Sequence, residues 1–198
     1  MTIEICPNGV MCTTPSHVGW IGQLWNADRT CLYETALEAK PKQVFEVGTW
    51  LGGGSTFALA KGLQKNGFGE LHTSELDAGV HEQAKQNYRR EFPELLPFVK
   101  FYLGSGLKVF PPILAGKTVD ILFLDGANDS EESVAEFMMF EPFMHPGSIL
   151  MAHDWLDRND GAVKMHMLRP IVENSKDWKI LKVIGPPESV GFVKAVRI

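Results

Sequence analysis

Val44-Phe45-Glu46-Val47-Gly48-Thr49-Trp50-Leu51-Gly52-Gly53-Gly54-Ser55-Thr56 is the stretch on which the reading of this chain turns. It opens as a short apolar run broken by one carboxylate, Glu46, and then passes through four glycines. It continues into Phe57-Ala58-Leu59-Ala60-Lys61-Gly62-Leu63, whose apolar residues recur at helical spacing. Strand, glycine turn and helix in that order make the opening βα unit of a nucleotide-binding sheet. Glycine suits such a turn because the backbone needs unusual φ there or must approach a ligand with no Cβ in the way. A dinucleotide fingerprint started at Gly48 would put Trp50 at its second glycine, where the indole blocks a pyrophosphate; this argues against a nicotinamide dehydrogenase. A P-loop needs lysine before Ser55, and Gly54 stands there. The turn therefore suits a nucleoside without a phosphate chain, the blander alternative being a glycine-rich turn of some other α/β protein.

Downstream, Asn66-Gly67-Phe68-Gly69 reads as a turn and Glu70–Glu75 as a second strand ending in a carboxylate. Glu75 lies about 20 residues past the glycine turn, where nucleoside-binding α/β folds place an acid on the ribose hydroxyls. Asp77 competes for that role or caps the helix expected over Val80–Phe92. Val99–Leu103 is a third strand, followed by Gly104-Ser105-Gly106 on the ligand side of the sheet.

Val119–Gly126 is an almost uninterrupted apolar run, as expected of a central parallel strand buried on both faces, and it ends in Asp125. A helix is expected over 130–143, its methionines filling core. His145-Pro146-Gly147 reads as a turn, and Ser148–Ala152 as a fifth strand that delivers His153-Asp154 to the same edge. Carboxylates there are costly without a partner, and Asp125, His153 and Asp154 are metal-type ligands on neighbouring strand ends. The alternative for Asp154 is a cap on a helix starting at Leu156. A helix over Ala162–Asn174 interrupted by Pro170, and two antiparallel strands, Trp178–Ile184 and Val190–Arg197, complete the chain.

Upstream, residues 1–16 read as an irregular arm and His17–Ala39 as two helices broken at Asn26–Arg29. Trp20 and Trp25 are expected to pack on the core or a second subunit rather than line a pocket. At 198 residues the chain suits one domain. No apolar run reaches the ~18 residues of a membrane helix, and the N-terminus lacks the basic start and apolar core of a secretory signal. Three cysteines without Cys-x-x-Cys spacing give neither a disulfide framework nor a zinc site, so a cytoplasmic setting is expected. A net charge of −5 offers no footprint for nucleic acid and favours a small-molecule partner.

Glu46-x-Gly48-x-x-x-Gly52 resembles motif I of the class I S-adenosylmethionine-dependent methyltransferases. Over residues 40–198, Leu124-Asp125-Gly126, Pro146-Gly147 and His153-Asp154-Trp155 extend the resemblance to their metal-dependent O-methyltransferases, both the catechol O-methyltransferase-like enzymes and the macrolide-sugar and cephalosporin-type branch. The resemblance implies an α/β, Rossmann-like, doubly wound sheet of seven mostly parallel strands with an antiparallel last strand and helices on both faces. Residues 41–198 would be the methyltransferase domain and 1–40 a substrate cap or dimer contact. S-adenosylmethionine would bind Glu46, Gly48, Thr49, Gly52, Ser55, Glu75, Ser105 and Asp125. A divalent cation, Mg²⁺ or Mn²⁺, would bind Asp125, His153 and Asp154, with His153 and Asp125 catalytic. The acceptor would be a hydroxyl of a small molecule and the assembly a homodimer. The chain departs from the pattern at Asn128, where the relatives carry a lysine or histidine that takes the proton; Asn128 cannot. A metal-independent enzyme, with Asp125 on the cofactor's amino group, and a non-catalytic adenosyl-binding protein are the alternatives.

Overall fold

The structure, a computed structural model, describes residues 11–12, 24–157 and 164–198. The arm expected over 1–16, apart from residues 11–12, lies outside them, as do Trp20 and the start of the helix expected from Ala162. Seven strands form one sheet: β1 (Gln43–Val47), β2 (Glu70–Glu75), β3 (Val99–Leu103), β4 (Val119–Leu124), β5 (Met144–His153), β6 (Trp178–Ile184) and β7 (Phe192–Arg197). Their order is β3-β2-β1-β4-β5-β7-β6. Only β7 runs against the rest, antiparallel to both β5 and β6.

The register explains the two-layer core. Val44 sits beside Ile121 and Ile121 beside Ile149; one residue on, Phe45, Leu122 and Leu150 line up in the same way. Successive side chains point to opposite faces. The first row therefore packs on α1 (Asn26–Ala39), α2 (Ser55–Asn66) and α3 (Ala78–Glu91), with Leu59, Leu63 and Tyr88 buried there. The second packs on α4 (Ser130–Phe140) and α5 (Leu168–Glu173), with Phe137, Phe140 and Val172. Helices thus cover both faces. Among the described residues no helix is long and apolar enough to cross a membrane.

Four local expectations are corrected. Asn26-Ala27-Asp28-Arg29 does not break a helix but forms the first turn of α1; Leu24–Trp25 before it pairs as a short strand with Met11–Cys12. The misreading arises because Asp28 and Arg29 are polar yet buried, so the apolar period fails there. His145-Pro146-Gly147 lies inside β5 rather than before it: Val119 pairs with Met144 but Ile121 with Ile149, so the turn residues bulge from the strand. Met138 is exposed, not core. The last helix starts at Leu168, which puts Pro170 in its first turn, where the missing N–H costs nothing.

Candidate active site

In an open parallel sheet ligands bind beyond the carboxyl ends of the strands, where the chain order reverses. Here that point lies between β1 and β4, and a cavity of about 720 Å³ opens over it.

Local segments build one side of the cavity. Gly48 and Thr49 donate their N–H groups to the Ser74 carbonyl at 3.1 and 3.0 Å, which ties the glycine turn to β2. Gly48 has φ +101°, and a Cβ on it would stand 2.8 Å from the Gly126 nitrogen, so the ends of β1 and β4 touch backbone to backbone. Glu75 lines the cavity and is oriented by the turn: Oε2 accepts the Trp50 N–H at 2.9 Å and Oε1 the Asp77 N–H at 3.0 Å. Asp77 itself caps α3 through the Val80 N–H at 2.8 Å. Gly48, Thr49, Ser55, Ser105 and Asp125 also line the cavity.

Two residues expected at the cofactor stand behind this wall instead. Glu46 is fully buried beneath the turn, where Oε2 accepts the Thr56 hydroxyl at 2.7 Å. Burial pushes its carboxyl up to about 7, against hydrogen bonds from Ser55, Thr73 and Thr56 that pull it down. Gly52, φ +81°, faces the buried ring of Tyr88, 2.8 Å from where its Cβ would be. Its demand is for conformation and packing rather than ligand space.

Strand ends build the other side. Asp125 follows β4 and is anchored by its N–H on the Val47 carbonyl at 3.0 Å. His153 ends β5, and Asp154 turns the chain with φ +53°. A ligand atom from each of Asp125, His153 and Asp154 lies within 4.8 Å of the other two. The His153 Nδ1 is 3.4 Å from Asp125 Oδ1 and 3.7 Å from Asp154 Oδ2. Asp154 caps no helix at Leu156: residues 155–157 are irregular.

Two residues that sequence reasoning missed complete this side. Lys164 places its ammonium 3.2 Å from Asp154 and 3.7 Å from Asp125. Asp28, on α1, lies 3.5 Å from the His153 Nε2. Burial pulls the His153 ring down, but Asp125, Asp28 and Asp154 together outweigh it and raise it to about 10. Lys164 is raised too, the same two site aspartates outweighing its burial. Asn128 spends its backbone and side-chain N–H on Glu132, at 2.8 and 2.9 Å. No motif announces Lys164 or Asp28; only their place beside the site does. Trp25 lines the cavity as well, contrary to the packing role expected for it.

The model of a methyltransferase-domain family matches residues 45–155, more than half of the chain. The chain belongs to this methyltransferase family. Among solved structures it is similar to an O-methyltransferase from Bacillus cereus in complex with SAH, at 22% identity, covering 87% of this chain and 81% of that one with a TM-score of 0.69. It is similar as well to the O-methyltransferase TomG from Streptomyces achromogenes, involved in tomaymycin synthesis and in complex with SAM, at 20% identity, 87% and 80% coverage and a TM-score of 0.68. An SAH-bound methyltransferase from Podospora anserina follows at 15%, 87% and 79%, with 0.67. At these identities the likeness is one of fold. Comparison with curated proteins gives no match. Family and fold together make the protein an S-adenosylmethionine-dependent methyltransferase of the class I architecture.

Proposed function

We propose that this methyltransferase acts on a hydroxyl group of a small molecule and that Asp125, His153 and Asp154 hold a divalent cation at the acceptor. The convergence of those three ligand atoms within 4.8 Å, in the cavity that Glu75 and the glycine turn also line, carries the reading. Two carboxylate oxygens and one imidazole nitrogen are a fitting donor set for Mg²⁺ or, with the nitrogen, Mn²⁺.

Glu75 is oriented by two backbone N–H groups and has lone pairs left for ribose hydroxyls. Ser105, beyond β3, and Thr49, beyond β1, flank the same space. When bound, S-adenosylmethionine supplies the electrophilic methyl group. When bound, the cation supplies the charge that lowers the pKa of an acceptor hydroxyl. Asp125 stands at the boundary between the two ligands. Trp25, from the segment proposed as a cap, also lines the cavity. Holding donor and acceptor in line is itself a large share of the rate.

Lys164 favours a second reading. Its ammonium already faces both carboxylates, so the site can meet their charge without a metal, and the enzyme would then be metal-independent. A crystal of the SAH complex soaked in Mn²⁺ separates the two. An anomalous peak between Asp125 and Asp154, with methyl transfer to catechol-type and sugar hydroxyls abolished by chelator, is the expected result. A flat map at saturating Mn²⁺ with chelator-insensitive transfer would leave the lysine reading in place. The homodimer remains part of the proposal and is tested by light scattering.

A further inference from the structure

His153 presents its two ring nitrogens to different surroundings. Nδ1 faces Asp125 and Asp154; Nε2 points the other way, to Asp28 Oδ2 at 3.5 Å. That distance is ion-pair reach, longer than a closed N–H···O bond, and Nε2 is buried with no closed hydrogen bond. Asp28 is fully buried on the first turn of α1, far from its neighbours here in the chain. Its Oδ2 accepts the Ser189 hydroxyl at 2.9 Å, and the Ser189 oxygen accepts the Gly191 N–H at 3.1 Å. The Gly191 carbonyl in turn takes the Trp155 N–H at 3.1 Å, so the relay closes on the chain two residues past His153.

An imidazole that ligates a cation does so through one nitrogen and carries its proton on the other. Only Nδ1 faces the other two ligands, which leaves the proton for Nε2. We propose that Asp28, held by Ser189, is the positioning residue for His153: it takes the Nε2 proton in a hydrogen bond and so presents the Nδ1 lone pair to the cation. This rests on the cation reading above. It explains why a carboxylate is buried in the N-terminal segment at all, since an unpartnered one there would be costly. It also gives that segment a part in the chemistry beyond covering the cavity. A carboxylate behind a ligating histidine typically sets about 10- to 100-fold in metal affinity.

Mn²⁺ is titrated into the full chain with SAH bound, in wild type, Asp28→Asn and Ser189→Ala, with free Mn²⁺ followed by paramagnetic resonance. SAH affinity and Tm are taken on each protein. Asp28→Asn, which keeps the side chain's size, is expected to bind Mn²⁺ about 10- to 100-fold more weakly with SAH affinity unchanged. Ser189→Ala moves the same way by less. In ¹⁵N-histidine-labelled wild type loaded with Mg²⁺, the His153 proton sits on Nε2. Wild-type Mn²⁺ affinity in Asp28→Asn, or an Nε2 without its proton in the loaded wild type, overturns the role of Asp28 and leaves the cation reading standing. Failure of the wild type to bind Mn²⁺ overturns both. Should Asp28→Asn not fold, the ring tautomer of the wild type decides alone.

Discussion

The two sides of the cavity are built on opposite principles. The side under β1, β2 and β3 is made of backbone: carbonyls and N–H groups of a glycine turn, with Glu75 held by two amides from within 25 residues of itself. The side under β4 and β5 is made of charge, with Asp28, Asp125 and Asp154 set against His153 and Lys164, drawn from four separate parts of the chain. The first is rigid because secondary structure fixes it. The second is a balance in which each group's protonation depends on its neighbours, and removing one leaves another buried charge uncompensated. On the function proposed above, the backbone side takes the cofactor and the charged side the acceptor that must be made reactive.

Five substitutions test that contrast. The largest effect is expected at the line where the sides meet. Gly48→Ala adds a Cβ 2.8 Å from backbone at φ +101°, and should cost about 2–5 kcal/mol, summing left-handed strain and overpacking. Denaturant unfolding reads it, and a loss under 1 kcal/mol would mean that the strand ends part easily. Gly52→Ala should lose stability for its own reason, the Tyr88 ring, with cofactor affinity following the fold rather than leading it.

Next is a pH effect confined to the backbone side. His72, on β2, is lowered to about 4, by burial first and by Lys117 second. Its folded value lies below the unfolded 6.5, so the unfolded chain binds the proton more tightly. The stability is full above pH 6.5 and is lost as pH falls towards about 4, by up to about 3 kcal/mol. Tm of wild type against His72→Gln from pH 7 to 4 should converge as the pH drops; parallel curves would remove this histidine as the cause.

Glu75→Ala should weaken SAH binding by about 1–3 kcal/mol and leave Mn²⁺ affinity alone. Calorimetry with both ligands on one variant tests whether the sides are independent, and a joint loss shows that they are not. The smallest effect is a gain. Lys164→Met removes the ammonium that competes for the two carboxylates and should tighten Mn²⁺ by about 1 kcal/mol, a rim-to-buried charge effect. Unchanged or weaker Mn²⁺ binding would show that Lys164 is not a competitor.

What could be read in advance follows the same division. The sheet, the reversed last strand, the glycine turn and Glu75 were legible because each depends on residues near in sequence and on a two-residue or helical period. Asp125, His153 and Asp154 were legible as neighbours because parallel strands must deliver their ends to one edge. Asp28 and Lys164 were not: a polar residue on a helix or in an irregular segment carries no period, Asp28 meets a partner 125 residues away in His153, and Lys164 reaches Asp154 from a segment with no motif of its own. The packing of Gly52 was illegible for a related reason: a glycine's neighbour is invisible until Tyr88 of another helix is folded against it.

The bare contact between Gly48 and Gly126 also limits how the enzyme can diversify. No side chain stands between the ends of β1 and β4 at this point, so a side chain added to either glycine would have to push backbone aside. Trp25 and Val190 line the same cavity with side chains, so its volume can be changed there, and that is where libraries for new acceptors belong.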